Sequence, residues 1–66
     1  MPQTLEELAN MLAKRDNSTY EEELALIRDT TAEMEEAFYN GDLNLAEDIL
    51  RINLNLEPDY LDLFIF

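Results

Sequence analysis

Residues 20–40 read YEEELALIRDTTAEMEEAFYN, the longest uninterrupted periodic stretch of the chain. Tyr20, Leu24, Ile27, Thr31, Met34 and Phe38 recur at intervals of 4, 3, 4, 3 and 4 residues, which at roughly 100° per residue places them on one stripe of a helix. Glu22, Asp29, Glu33 and Glu36 fall within about 60° of one another on the same wheel, directly across from that stripe. The apolar side is expected to fold the chain. The acidic side is either a solvated face or a contact surface, and a functional assignment turns on which.

Working outward, the flanking sequence predicts further helices packed on this one. Thr4 and Glu7 form an S/T-x-x-E capping arrangement that opens a first helix over about residues 4–15, with Leu5, Leu8, Ala9, Met11 and Leu12 on its apolar face. Glu6 and Glu7 stand at its positive end, and Lys14 and Arg15 at its negative end. Asp16, Asn17 and Ser18 favour local side-chain-to-backbone bonds and predict a tight corner. Ser18 with Glu21 then repeats the capping pattern for a second helix over 19–40. Glu21, Glu22 and Glu23 lie in its first turn, where the helix dipole favours negative charge. Asn40 and Gly41, the chain's one glycine, mark the end, because glycine enters the left-handed conformation that closes helices at little cost. Asp42 caps a third helix over 43–54. Its apolar residues Leu43, Leu45, Ala46, Ile49, Leu50 and Ile52 cover more than half the circumference, which predicts the most buried helix of the set. Asn55 reads as a left-handed terminus, with Leu56 folding back onto the last turn and Pro58 opening a short helix over 58–63. The expected fold is all-α, one domain over 1–66: a small bundle of three helices plus a short C-terminal helix. A strand from Leu61 to Phe66 is the alternative, but no second segment alternates well enough to pair with it.

Chain length limits what stabilises such a bundle. At 66 residues, a domain buries only about 60% of the surface its unfolded chain exposes. The sequence contains no cysteine and no histidine, which removes disulfides, thiolate nucleophiles, the usual zinc sites and imidazole bases together. Efficient packing or self-association is left. The apolar end, Leu61, Leu63, Phe64, Ile65 and Phe66, either caps the core or meets a second copy, since such residues should not stand in water. With no signal segment and no run of about 18 apolar residues, a soluble cytoplasmic protein is expected.

Sixteen Asp and Glu against four Lys and Arg give a formal net charge of −12. Direct contact with nucleic acid or anionic membrane is excluded by that balance, because both draw affinity from cations neutralising phosphate. A helix-turn-helix reading of the first two helices fails for the same reason: a recognition helix opening Tyr20-Glu21-Glu22-Glu23 repels phosphates. Catalysis is not expected either. The sequence has one serine, at a helix cap, one lysine and otherwise only carboxylates as acid-base candidates, with no visible partner to tune them. Asp42, Asn44, Glu47 and Asp48 are the best cation-binding stretch, yet the sixth position of an EF-hand loop lacks its glycine and the twelfth holds Asn53 in place of glutamate. No cofactor and no metal are expected. What remains is a protein partner with a basic surface, met by Glu22, Asp29, Glu33 and Glu36. Proteins that imitate nucleic acid present such carboxylate rows to a basic groove. Tyr39 and Tyr60, outside the main stripe, are the aromatic contact candidates.

At Ala46-Glu47-Asp48-Ile49-Leu50 followed by Leu56-Glu57-Pro58-Asp59-Tyr60-Leu61, and at Arg15-Asp16-Asn17 followed by Tyr20-Glu21-Glu22, the chain resembles small acidic proteins encoded in phages and integrative elements of Gram-positive bacteria. The likeness covers most of the chain and carries no catalytic residues. It implies a genetic context in which small acidic proteins include inhibitors of host defence nucleases. The function expected is therefore a non-enzymatic inhibitor that binds a basic, nucleic-acid-binding host protein. The alternative is a structural or regulatory module that self-associates through its apolar C-terminus, its acids serving solubility alone.

Overall fold

A computed structural model of the chain describes residues 1–65. Three α-helices, α1 (Leu5–Asp16), α2 (Tyr20–Tyr39) and α3 (Leu43–Leu54), are followed by a 3₁₀ helix at Pro58–Phe64. No strand occurs among the described residues. Helix α2 packs against both α1 and α3, and the 3₁₀ helix packs against α3. The chain thus folds as an all-α bundle around α2.

Local chemistry explains where each helix stops and starts. Thr4 caps α1 by accepting the Glu7 N–H at 3.1 Å, while the Glu7 carboxylate reaches one residue further back than a reciprocal box requires and accepts from the Gln3 N–H. Asn17 takes the left-handed conformation with φ +54°, and the Ser18 N–H closes on the Ala13 carbonyl at 3.0 Å. At the other end of α2, Gly41 has φ +73°, the Gly41 N–H bonds the Phe38 carbonyl and the Asp42 N–H bonds the Ala37 carbonyl, the paired closure of a Schellman motif. Asp42 then accepts from the Leu45 N–H at 3.0 Å to start α3, and Asn55, with φ +53°, ends it through a bond to the Arg51 carbonyl. Leu56 folds back and is buried.

The fourth element is a 3₁₀ helix, not an α-helix. Pro58 sits in its first turn, and the Tyr60 N–H bonds the Glu57 carbonyl three residues back. Three residues per turn stack Leu61 directly beneath Phe64, so both turn to the core from so short a piece. Phe64 is 1% exposed, and Leu61 and Leu63 are half-buried against the core. Ile65 is exposed, and Phe66 lies outside the described residues.

The cap of α2 falls one residue later than the Ser18–Glu21 pattern implies. Thr19 accepts from the Glu22 N–H at 3.1 Å and the Glu22 carboxylate accepts from the Thr19 N–H at 3.2 Å, a full capping box. Ser18 is engaged elsewhere: its hydroxyl donates at 2.5 Å to Oε2 of Glu23, a carboxylate only 6% exposed whose Oε1 has no partner. Glu23 is thus a buried group, and the dipole of the first turn does not account for it alone. Because an orphaned buried acceptor costs about 1–3 kcal/mol, Ser18→Ala is expected to destabilise the fold by that amount. A urea titration followed by circular dichroism measures it, with Ser18→Thr as the variant that keeps the hydroxyl.

The buried line of α2 also differs from its apolar stripe. Glu23, Ile27, Thr30, Met34 and Ala37 are buried, whereas Tyr20, Leu24, Thr31 and Phe38 are only half-buried. The centre of the buried face is rotated by about 60° from the centre of the apolar one. The reason lies in the neighbours. With α1 on one flank and α3 on the other, the deepest line of α2 runs beneath both, and small or hydrogen-bonded side chains fit there. Thr30, fully buried, accepts from Asn53 of α3 at 3.4 Å.

Helix α3 is not the most buried helix. Ala46, Leu50 and Leu54 are in the core, but Leu43, Leu45 and Ile52 are exposed. A chain of this size supplies α3 with α2 on one side and a short 3₁₀ helix on another, which cannot cover an apolar arc of more than half its circumference.

Candidate binding surface on α2 and α3

Five of the six candidate contact residues lie on α2 and one on the 3₁₀ helix. Glu22 is exposed, but both its backbone N–H and its carboxylate belong to the capping box with Thr19. Its role is therefore structural as well as superficial. Asp29 and Glu36 are exposed. Glu33 is exposed too, yet the rotation of the buried line brings it to the border with α3, where its Oε2 accepts from Asn53 at 3.1 Å. Tyr39, at the last position of α2, is 91% exposed. Tyr60 is far from this row in kind: half-buried against the core, it donates its hydroxyl to the Met11 sulfur at 3.8 Å, joining the 3₁₀ helix to α1. The structure therefore groups Asp29, Glu33 and Glu36 on one line of α2 and sets Glu22 and Tyr60 to other tasks.

Asp29, Glu33 and Glu36 take no part in an ion pair among the described residues. Among the described residues the ion pairs are Arg15 with Asp16 at 2.7 Å and Arg51 with Asp48 at 3.1 Å. Arg15, expected at the negative end of α1, also crosses to α3. Its guanidinium donates to the Leu54 carbonyl at 2.8 Å and the Asn55 carbonyl at 3.2 Å, satisfying the end of that helix. The hydrogen bond from Arg15 holds the Asp16 carboxyl below its ordinary range, and the same bond raises Arg15. Met11, Arg15, Asn55, Leu56, Glu57 and Tyr60 surround a hollow of about 410 Å³, whose one guanidinium is already bonded.

A second groove, about 290 Å³, runs between α2 and α3 and is lined by Glu33, Glu36, Ala37, Asn40, Leu45 and Ile49. Acids stand on its α2 wall and aliphatic side chains on its α3 wall. Periodicity alone assigns Leu45 and Ile49 to the core. The signal that Leu45 is exposed and Ile49 only half-buried is the arc itself: it is too wide for one neighbour to cover. Among the described residues no three carboxylates stand close enough together to hold a metal ion, and no helix is long and apolar enough to cross a membrane. No protein-family model matches the chain, and neither a curated protein nor a solved structure matches it.

Proposed function

We propose that this chain is a non-enzymatic binding protein that occupies the basic, nucleic-acid-binding surface of a protein partner. One observation carries the proposal: Asp29, Glu33 and Glu36 stand exposed along one line of α2, and neither ion pair among the described residues involves them. At 1.5 Å per residue the three carboxylates advance by about 6 Å and then about 4.5 Å along the helix, forming an anionic row. Fixed on a helix, they meet a row of Lys and Arg with little ordering cost, and charge-assisted bonds are the stronger kind. The formal net charge of −12 adds long-range attraction to a basic surface. In the phage or mobile-element setting that the sequence resembles, the partner is a host nucleic-acid-binding protein of the cytoplasm, and binding inhibits it by excluding nucleic acid.

The test compares the proteins retained from a Gram-positive bacterial extract by the unaltered chain and by an Asp29→Lys/Glu36→Lys double variant. Glu33 is left intact because its bond to Asn53 supports the fold. The expected result is a nucleic-acid-binding protein that the unaltered chain retains at low salt, that excess duplex DNA displaces, and that the double variant fails to retain with its far-UV spectrum unchanged. Equal retention by the two forms refutes the assignment. Release should be steep as ionic strength approaches about 0.15 M, where the screening length is near 8 Å.

A further inference from the structure

The geometry points to a more specific occupant: a basic amphipathic helix of the partner, seated in the groove between α2 and α3, its apolar stripe on α3 and its cationic edge on α2. This rests on the proposal of a basic partner and adds the form of the contact. On α3, Leu45, 45% exposed, and Ile49, half-buried, line the groove, and Ile52, 71% exposed, continues the row one turn beyond it. On α2, Glu33 and Glu36 line the groove at an interval of three residues, and Asp29 continues their row one turn beyond it. Each row spans about 10.5 Å, two turns of helix. The bond from Asn53 to Glu33 ties one row to the other, so their relative register is set before anything binds.

Charge complementarity selects the occupant. The groove is lined by two carboxylates and no cation, and Arg51 on α3 is paired with Asp48. A second copy of the chain would bring the same acids against one another, which disfavours self-association at this face. An anionic lipid surface is repelled for the same reason. An extended peptide that binds by strand addition needs a sheet edge, and among the described residues there is no strand to offer one. A helix needs an apolar groove that accepts side chains one turn apart, as Leu45 and Ile49 allow, with polar contacts alongside. Aliphatic anchors at this spacing with Lys or Arg on one flank match both walls.

The probe is a pair of synthetic Lys–Leu–Ala helical peptides of about four turns. They have identical composition; one gathers its leucines on a single stripe and the other disperses them around the helix. Both are titrated into the isotopically labelled full chain and followed by amide chemical shifts. The striped peptide is expected to bind at least roughly tenfold tighter than the dispersed one, with the largest shifts at Leu45 and Ile49, which line the groove. Leu45→Asn, which alters an exposed side chain of the groove, should weaken the striped peptide by roughly tenfold and leave the salt dependence intact. Asp29→Asn/Glu36→Gln should flatten the salt dependence. Equal affinity of the two peptides, or no effect of Leu45→Asn, overturns helix docking in this groove while leaving the charge-based function standing. An unchanged salt dependence in the neutralised variant overturns that function itself. Binding that competes with a dimer of the chain, seen by sedimentation and abolished by Leu45→Asn, overturns the proposal in favour of a second copy.

Discussion

Phe64→Ala is expected to leave the chain largely unfolded at ambient temperature. Removing a fully buried phenylalanine costs about 3–5 kcal/mol, the transfer of its ring plus the cavity left behind, and a domain of this size has only about 5 kcal/mol to lose. Phe64 is 1% exposed and among the largest fully buried side chains of the molecule. It is held on a 3₁₀ helix that contacts α3. Its neighbour provides the control. Ile65, 52% exposed, should change stability by less than about 0.5 kcal/mol when replaced by serine. A urea midpoint for each variant decides the matter, and a Phe64→Ala midpoint within error of the unaltered chain would remove the 3₁₀ helix from the core. The contrast bears on self-association through Leu61, Leu63, Phe64, Ile65 and Phe66. Deleting the last residues confounds association with unfolding, because Phe64 belongs to the core; Ile65→Ser probes the terminal surface without that ambiguity.

Helix ends were legible in the sequence because the chemistry that stops a helix is local. Thr4, Asn17, Gly41, Asp42, Asn55 and Pro58 each act within a few residues, and each acts in the folded chain as its type predicts. The displaced cap of α2 shows the limit of such rules. Ser18 and Thr19 are both competent, and the choice falls to Thr19 since Ser18 is drawn to the buried Glu23. Rotational phase was less legible. Hydropathy places the apolar side of α2, but the neighbours decide which line lies deepest, and they bury Glu23 and Thr30 while half-exposing Leu24. Contacts between distant residues, such as Arg15 with the end of α3 or Asn53 with Glu33, leave no trace in local pattern. Spacing alone marks the acidic row as a unit. It does not mark the aliphatic row on α3, because an apolar residue at helical spacing looks the same whether a neighbour covers it or not.

That ambiguity can be resolved on α3 with two substitutions two residues apart. Leu50 is fully buried and Ile52 is 71% exposed, although both belong to the apolar arc of one helix. Leu50→Ala is expected to cost about 2–5 kcal/mol, depending on how far α2 and the 3₁₀ helix close on the cavity, and to lower the urea midpoint with the slope of the transition unchanged. Ile52→Ala should lie within about 0.5 kcal/mol of the unaltered chain, because its side chain is mostly in water in the folded state already. The two variants then separate folding from recognition. A bundle that tolerates Ile52→Ala yet exposes an isoleucine on the outer side of α3 is keeping apolar surface that the fold does not need. If Ile52→Ala instead destabilises the chain as much as Leu50→Ala, α3 is covered there by its own bundle, and the exposed stripe on α3 is lost.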